Sequence, residues 1–276
     1  MIVAKDSVSG AHGTLYGSAL LKDGYLSLDG SGDTKSFTNG CFVALPPELI
    51  SDFTSFSVEM WARANTNKGN WMRLFDFGNC TTNNDNTIGN GKNYTMMTWS
   101  AGKDMRDGVR LNGVEQVVTV PVLPIGDGIF HHIVYVYDDQ EKMGTIYSDG
   151  VQTGKAPQEF NPTQWGGCPN MWIGKSQWSA DPYFAGDFDE FRIYKGTLSA
   201  EEVAQNNKLG ANEIIVLPTK EPTLTYSVED GELILNFTGY LEYSDDLISW
   251  KKLNSIHSPY TIPKETIPQR FYRSTY

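Results

Sequence analysis

The sequence predicts an all-β protein: a two-sheet antiparallel jelly-roll sandwich with one short helix, followed by a small C-terminal β domain. Three observations carry this expectation. Short apolar segments with alternating pattern recur along the chain, separated by turn residues. Glycine is abundant, and aromatic residues make up 12% of the chain, the composition of strands joined by tight turns. Only residues 197–210 carry the end signals of a helix.

The strand candidates run in order as GYLSLDG (24–30), FTSFSVEMWARA (53–64), WMRLFDFG (71–78), YTMMTWSA (94–101), HHIVYVYD (131–138), GTIYSDG (144–150), NMWIGK (170–175) and GDFDEFRIY (186–194). Asp-Gly pairs at 23–24, 107–108, 127–128, 149–150 and 230–231 are expected at hairpin or loop tips, because Gly supplies positive φ and Asp tolerates it. In TLSAEEVAQNNKLG, Ser199 caps, Glu202 completes a capping box and Gly210 gives a left-handed stop. That helix is expected to seal one end of the sandwich. Pro218 and Pro222 mark a stiff connector. The organisation is therefore a jelly roll over 1–212, a linker over 213–222 and a small β domain over 223–276, too small for an ample core of its own and expected to lean on the first domain or a partner.

Charge narrows the partners. A net charge of -11 opposes binding to a nucleic-acid backbone or an anionic membrane, since both need a basic surface. No apolar run reaches the roughly 20 residues of a membrane-spanning helix, so membrane insertion is not expected. The opening MIVAKDSVSG lacks the apolar core of a signal peptide, and the domain is expected to begin near Met1. Cys41, Cys80 and Cys168 form no zinc or disulfide pattern, although Cys80 and Cys168 both lie in Gly/Asn-rich loops where pairing is open.

Four stretches in fixed order then become specific: DSVSGAHGTLYGSALLKDGYLSLDGSGD, FTSFSVEMWARA, FHHIVYVYDDQEKMGTIYSDGVQTG and MWIGKSQWSADPYFAGDFDEFRIYKGTLSAEEV. Together, over about residues 3–210, they resemble the laminin-G-like, concanavalin A-like jelly rolls of bacterial and viral surface proteins. The resemblance implies a non-catalytic, often sugar-binding or adhesive module that frequently carries one structural calcium. The tail resembles the small β modules that end many bacterial surface proteins.

The calcium implied is placed on the loop KDSVSGAHGTL, where Gly10 and Gly13 allow a curl around an ion. The resemblance carries over Asp6 and Asp189 as side-chain ligands and His12 as a backbone carbonyl donor. Asp187 and Asp189 are expected on one face of the last strand and Glu190 and Arg192 on the other, with Phe191 where a glycan-cleaving enzyme of this fold would place its third acid. No catalytic residues are expected. His131 and His132 point opposite ways on a strand, one packed and one exposed, and do not chelate one ion. Trp61 and Trp172 are read as core. Trp71, Trp99, Trp165 and Trp178 sit at strand ends or in loops, where an exposed ring stacks on the apolar face of a sugar. The loop at 78–93 supplies Asn and Asp for its hydroxyls.

The expected function is a calcium-stabilised recognition or adhesion module that binds glycan or a surface protein, displayed at an extracellular, cell or virion surface. The alternatives are a structural or decoration protein of a virion that contacts other subunits of an assembly, and a glycan-cleaving enzyme.

Overall fold

Alternation decides which side of each strand is buried, and here it places two apolar faces against one another. The computed structural model describes residues 2–34, 39–81, 90–213, 222–253, 256–263 and 269–275. It divides into two compact units, Met1–Ile214 and Ile215–Tyr276. Between its end residues, the linker expected at 213–222 lies outside the described residues, as do residues 82–89 of the Asn-rich loop.

The first unit contains β1 (Val3–Ala4), β2 (Gly13–Tyr16), β3 (Leu20–Lys22), β4 (Tyr25–Asp29), β5 (Phe42–Ala44), β6 (Phe56–Ala64), β7 (Arg73–Cys80), β8 (Gly91–Thr98), β9 (Asp104–Leu111), β10 (Val114–Pro121), β11 (His131–Asp138), β12 (Met143–Ser148), β13 (Val151–Pro157), β14 (Asn170–Ile173), β15 (Ala185–Lys195) and helix α1 (Ala200–Leu209). Two antiparallel sheets form the sandwich. One is eight-stranded in the order β1-β2-β5-β14-β7-β8-β9-β10, the other seven-stranded in the order β13-β12-β11-β6-β15-β4-β3. Their facing sides interleave Phe56, Val58, Met60, Ile133, Tyr135 and Phe188 with Val43, Phe75, Phe77, Met97, Val109 and Met171.

Turn chemistry sets the hairpins. Asp23-Gly24 and Asp149-Gly150 both take positive φ between paired strands, as expected. Asp107-Gly108 does not: it lies inside β9, and the turn there is Asn112-Gly113. Asp107 is fully buried, and burial pushes its carboxyl well up despite the amide of Gln158 at 3.1 Å.

The outer face of the seven-stranded sheet is closed by α1. Ser199 and Glu202 form the reciprocal capping box, and Gly210 ends the helix at φ 85°. The helix does not seal an end of the sandwich. Its Val203 packs with Leu198, Val134, Val136 and Tyr147 on the flank of the sheet. Beneath it, Glu59 is buried and accepts from His132 Nε2 (2.9 Å), Tyr194 Oη (2.6 Å), Asn206 Nδ2 (2.8 Å) and Arg192 Nη1 (3.3 Å). Burial alone raises the Glu59 carboxyl, but these donors outweigh it and the pKa is lowered. Arg192 also donates to the carbonyls of Ala211 and Glu213, tying down the chain beyond the helix.

The second unit contains β16 (Leu224–Glu229), β17 (Glu232–Phe237), β18 (Tyr240–Ser244), β19 (Lys251–Lys252), β20 (Tyr260–Thr261) and β21 (Phe271–Thr275), in two three-stranded sheets. Among its described residues the buried apolar side chains are Leu235 and Leu241. Cations seated on rings supplement this small core, with Arg270 4.3 Å from the Tyr243 centroid and Arg273 4.1 Å from that of Trp250.

Two predictions follow from the buried charges. Glu59→Ala removes the buried counter-charge of Arg192, leaving it the half-exposed Glu190 at 4.0 Å, and is expected to cost about 3–5 kcal/mol in chemical denaturation; a loss below about 1 kcal/mol, the worth of an exposed pair, contradicts the anchoring role. Asp107 binds its proton more tightly folded than unfolded, so its contribution to stability is full below the unfolded pKa and is lost as pH rises. Asp107→Asn removes that loss, and its melting temperature should exceed that of the unmodified protein by more at pH 8 than at pH 5.

Candidate functional site

The strand register assembles a second outer face, on the eight-stranded sheet. Tyr94, Met96 and Thr98 of β8 stand opposite Arg110, Gly108 and Arg106 of β9, which stand opposite Glu115, Val117 and Thr119 of β10. Side chains paired in this way share one face. On the other flank of β8, Asp76 and Gly78 of β7 meet Trp172 and Asn170 of β14. Two partly exposed tryptophans overhang this face. The Arg106 guanidinium lies 5.2 Å from the Trp71 ring centroid, and that of Arg110 lies 5.2 Å from Trp178. Four residues along a strand separate the two arginines, about 13 Å.

Arg73 organises both overhangs. It is 2% exposed and is met by Asp76 (3.3 Å), by Asp181 (2.8 Å) and by the carbonyl of Trp71 (3.1 Å). Asp181 belongs to the loop 174–184, which closes on itself through Phe184 N to the Gly174 carbonyl (2.9 Å) and returns to the sheet through Gln177 N to Asp76 (3.0 Å). This loop carries Trp178. A Cβ at residue 91 would stand 2.7 Å from Trp178 Nε1, so Gly91 is what lets that indole settle over β8. Trp71 adopts φ 73°, a left-handed conformation that is strained for a bulky side chain and is held here by its N–H to the Ser100 carbonyl (2.7 Å) and its carbonyl to Arg73.

The charges of this face are arranged in layers. Burial raises the Asp76 carboxyl to about 6, against the opposing pull of Arg73. That value suits a general acid, but Asp76 is sealed beneath the loop, with no exposure to a substrate. Glu115 spends one oxygen on the Tyr94 hydroxyl (2.7 Å) and the other on Arg106. Burial and the Glu115 carboxylate push the Tyr94 phenol up, so it remains a donor.

Of the four tryptophans expected to meet sugar, the structure brings Trp71 and Trp178 to one face and removes the other two. Trp99 is fully buried, with its Nε1 donating to the Leu123 carbonyl at 3.1 Å, and Trp165 is 3% exposed and packed in the main core. Trp61 and Trp172 are buried as expected, but outside the core between the sheets. Trp61 stacks on His132 at 4.3 Å, and Trp172 joins Phe42 and Tyr183 around the Lys175 ammonium. Burial brings the Lys175 pKa down to about 8.

Both histidines of the pair are buried, so neither is the exposed one expected; His131 lies between Asp149 (2.9 Å) and Asp127 (3.2 Å). The closing acids are also arranged differently from the simple alternation. A bulge at Asp189 shifts the register of β15, so that Asp187, Glu190 and Arg192 share the outer face of the seven-stranded sheet. Asp187 is spent on Arg63 (2.8 Å) and Asn65 (2.8 Å). The three cysteines are buried and no disulfide joins Cys80 to Cys168.

The donor set at the calcium loop does not fit the ion. The Asp6 carboxylate accepts from the N–H groups of Val8 (3.0 Å), Ser9 (2.9 Å) and Ala11 (2.8 Å) and from the Ser9 hydroxyl (2.6 Å), while His12 Nδ1 accepts from Asp6 N (3.0 Å). Calcium needs oxygens turned inward, whereas this loop turns hydrogens toward the carboxylate. The Ser9 hydroxyl and the backbone donors hold the Asp6 carboxyl well below the usual range. No group of three or more His, Cys, Asp or Glu side chains able to hold a metal occurs among the described residues, Asp6, His12 and Asp189 included.

The residues that sequence reasoning passed over are those of the β9–β10 hairpin, Arg106, Arg110 and Glu115. Asn112-Gly113, a strong hairpin signal between LNGVE and the alternating VEQVVTV, marks it in the sequence.

Comparison with known proteins agrees with this architecture. The family model described as the concanavalin A-like lectin/glucanases superfamily matches residues 37–204. Among solved structures, the chain is similar to domain 4 of AbnA, a GH43 extracellular arabinanase from Geobacillus stearothermophilus, in complex with arabinotriose (TM-score 0.50, 19% identity, 73% of this chain and 91% of that one). It is also similar to the IT-sialidase CBM40 of Ruminococcus gnavus bound to alpha2,3 sialyllactose (TM-score 0.46, 14% identity, 59% and 91%). At these identities the likeness concerns the fold alone. No curated protein matches the sequence.

The hydrogen bonding of Asp6 predicts that neither added calcium nor EDTA moves the melting temperature. A rise with calcium that is abolished in Asp6→Asn would show that the carboxylate exchanges its four hydrogen bonds for the ion.

Proposed function

Because the chain belongs to the concanavalin A-like lectin/glucanases superfamily, its function is to be sought in a site carried on the sandwich, and we propose that it is a non-catalytic carbohydrate-binding module whose ligand lies across the outer face of the eight-stranded sheet. The observation that carries this reading is the pair of partly exposed tryptophans, Trp71 and Trp178, held over one sheet face with polar side chains between them. Indole faces take the apolar faces of sugar rings, and Arg106, Arg110, Glu115 and Thr119 offer donors and acceptors to hydroxyls. The arginines beside the two indoles lie about 13 Å apart along β9, a spacing that suits an oligosaccharide better than a single ring.

The similar AbnA domain is in complex with arabinotriose, and the similar CBM40 with sialyllactose, which agrees in kind with a glycan ligand. A catalytic reading finds no support on this face. Glycosidases place two carboxyls about 5–10 Å apart across the scissile bond, whereas here Asp76 is sealed and Glu115 is bound to Arg106 and Tyr94. A hollow of about 70 Å3 in the second unit, lined by Tyr243, Asp245, Asp246 and Lys251, is far below the roughly 300–1,000 Å3 of a small-molecule site.

The test is binding of the full chain to a panel of polysaccharides by affinity electrophoresis and calorimetry. Trp178→Ala and Trp71→Ala should each weaken binding about tenfold or more, equivalent to about 1.4 kcal/mol, while Trp61→Phe leaves it unchanged. Binding that survives both alanine variants would overturn the placement of the site.

A further inference from the structure

We propose that the Trp178 end of this face recognises a carboxylate, so that the ligand is an acidic saccharide such as a uronate-containing chain; this rests on the carbohydrate-binding reading above. The argument begins with how the chain pairs its arginines. Arg63 is bonded to Asp187, Arg73 to Asp76 and Asp181, Arg106 to Glu115, Arg192 to Glu59, Arg270 to Asp245 and Arg273 to Glu242. Among the described residues, Arg110 alone of the seven arginines has no carboxylate partner. In a chain with 33 acids against 22 basic residues, a guanidinium with no acid partner among the described residues is a specific arrangement.

The omission is not for lack of a neighbour. Glu115 stands directly across from Arg110 in the β9–β10 register, yet its two oxygens go to the Tyr94 hydroxyl and to Arg106. Gly108 makes this lean feasible, since a Cβ there would stand 3.0 Å from Glu115 Oε1. The protein therefore diverts the nearest acid and keeps the cation available.

What Arg110 does touch positions it. Its guanidinium lies 5.2 Å from the Trp178 ring centroid and 6.0 Å from that of Tyr94, and Nη1 donates to the Gly91 carbonyl at 3.3 Å. Its Nε is buried without a partner. Nε is shielded from solvent, as it is in Arg106 and Arg192, so a ligand carboxylate would be met by the Nη groups at the tip of the fork. Two flanking rings hold the fork in one plane, which is how arginine recognises a planar carboxylate through paired hydrogen bonds.

The negative field of the whole molecule does not cancel this. At physiological ionic strength charges beyond about 8 Å are largely screened, and Glu115, the acid that faces Arg110 across the hairpin, already carries Arg106 as its counter-charge. A sugar acid with its ring on the Trp178 face would set its carboxylate at the guanidinium, while the neutral remainder of the chain runs toward Trp71.

The experiment compares polyuronates with their fully methyl-esterified forms, which keep the sugar backbone and block the carboxylate, alongside a sulfated glycan. The free-acid form should bind at least about tenfold more tightly than its ester. That preference should disappear in Arg110→Gln, which is checked for an unchanged melting temperature, and should shrink toward 1 M salt, where the Debye length falls to about 3 Å. Equal binding of acid and ester, acid preference that persists in Arg110→Gln, or selection of the sulfated glycan with no acid preference would each overturn the carboxylate assignment. If acid and ester bind alike and Trp178→Ala abolishes both, the carbohydrate reading stands while this inference fails; if no polysaccharide of either kind binds, both fail.

Discussion

Arg73 has almost no water to solvate it, and the aromatic face of the eight-stranded sheet follows from how its charge is met. A buried guanidinium is stable only with counter-charges and hydrogen bonds in place, and these come from three separate parts of the chain: Asp76 on its own strand, Asp181 in the 174–184 loop and the carbonyl of Trp71. Meeting one charge thus draws a loop down onto the sheet and fixes a strained turn at its rim. Trp178 rides on the loop and Trp71 forms the turn. The two aromatic surfaces are positioned by one cation to which neither contributes a charge.

The sandwich has two outer faces, and the chain treats them differently. On the seven-stranded sheet, Glu59 gathers His132, Arg192, Tyr194 and Asn206 beneath α1, and the helix packs Val203 against Val134, Val136, Tyr147 and Leu198. That face is filled from within. On the eight-stranded sheet the aromatic groups split into two kinds. Phe42, Trp172 and Tyr183 close around Lys175, which supplies their cation internally, whereas Trp71 and Trp178 remain partly open beside arginines at the β9–β10 hairpin. Both groups hold cations, and what singles out the hairpin is that Trp71 and Trp178 stay partly exposed while Phe42, Trp172 and Tyr183 are buried.

Much of the architecture was legible from local pattern. The long strands, the capping box of Ser199 and Glu202 and the hairpins at Asp23-Gly24 and Asp149-Gly150 depend on neighbours in sequence, and local rules reach them. What escaped depends on register. A single-residue bulge at Asp189 moves Glu190 onto the face of Asp187, and alternation alone cannot show a bulge. The tryptophans show the same limit, since Trp99 and Trp178 both follow strand-like segments. Only the return of loop 174–184 to Arg73 leaves one open, while the other is packed against His131 and Phe184. The partners of Glu59 are 73 to 147 residues away in the chain, beyond the reach of local pattern. The hairpin of Arg106 and Arg110 was within reach, since Asn112-Gly113 signals it, but two arginines read as ordinary surface charge until their partners are known.

Placing recognition on the eight-stranded face divides the indoles of the first unit into two sets, because Trp71 and Trp178 overhang that face while Trp61, Trp99, Trp165 and Trp172 are buried elsewhere. The most direct measurement is titration of the isotopically labelled full chain with a bound oligosaccharide, following the indole N–H resonances by NMR. The account predicts that the signals of Trp71 and Trp178 move to saturation with one affinity while those of the other four hold their positions. Saturation that leaves Trp71 and Trp178 unmoved, with the shifts confined to Trp250 of the second unit or to the buried indoles, would contradict it.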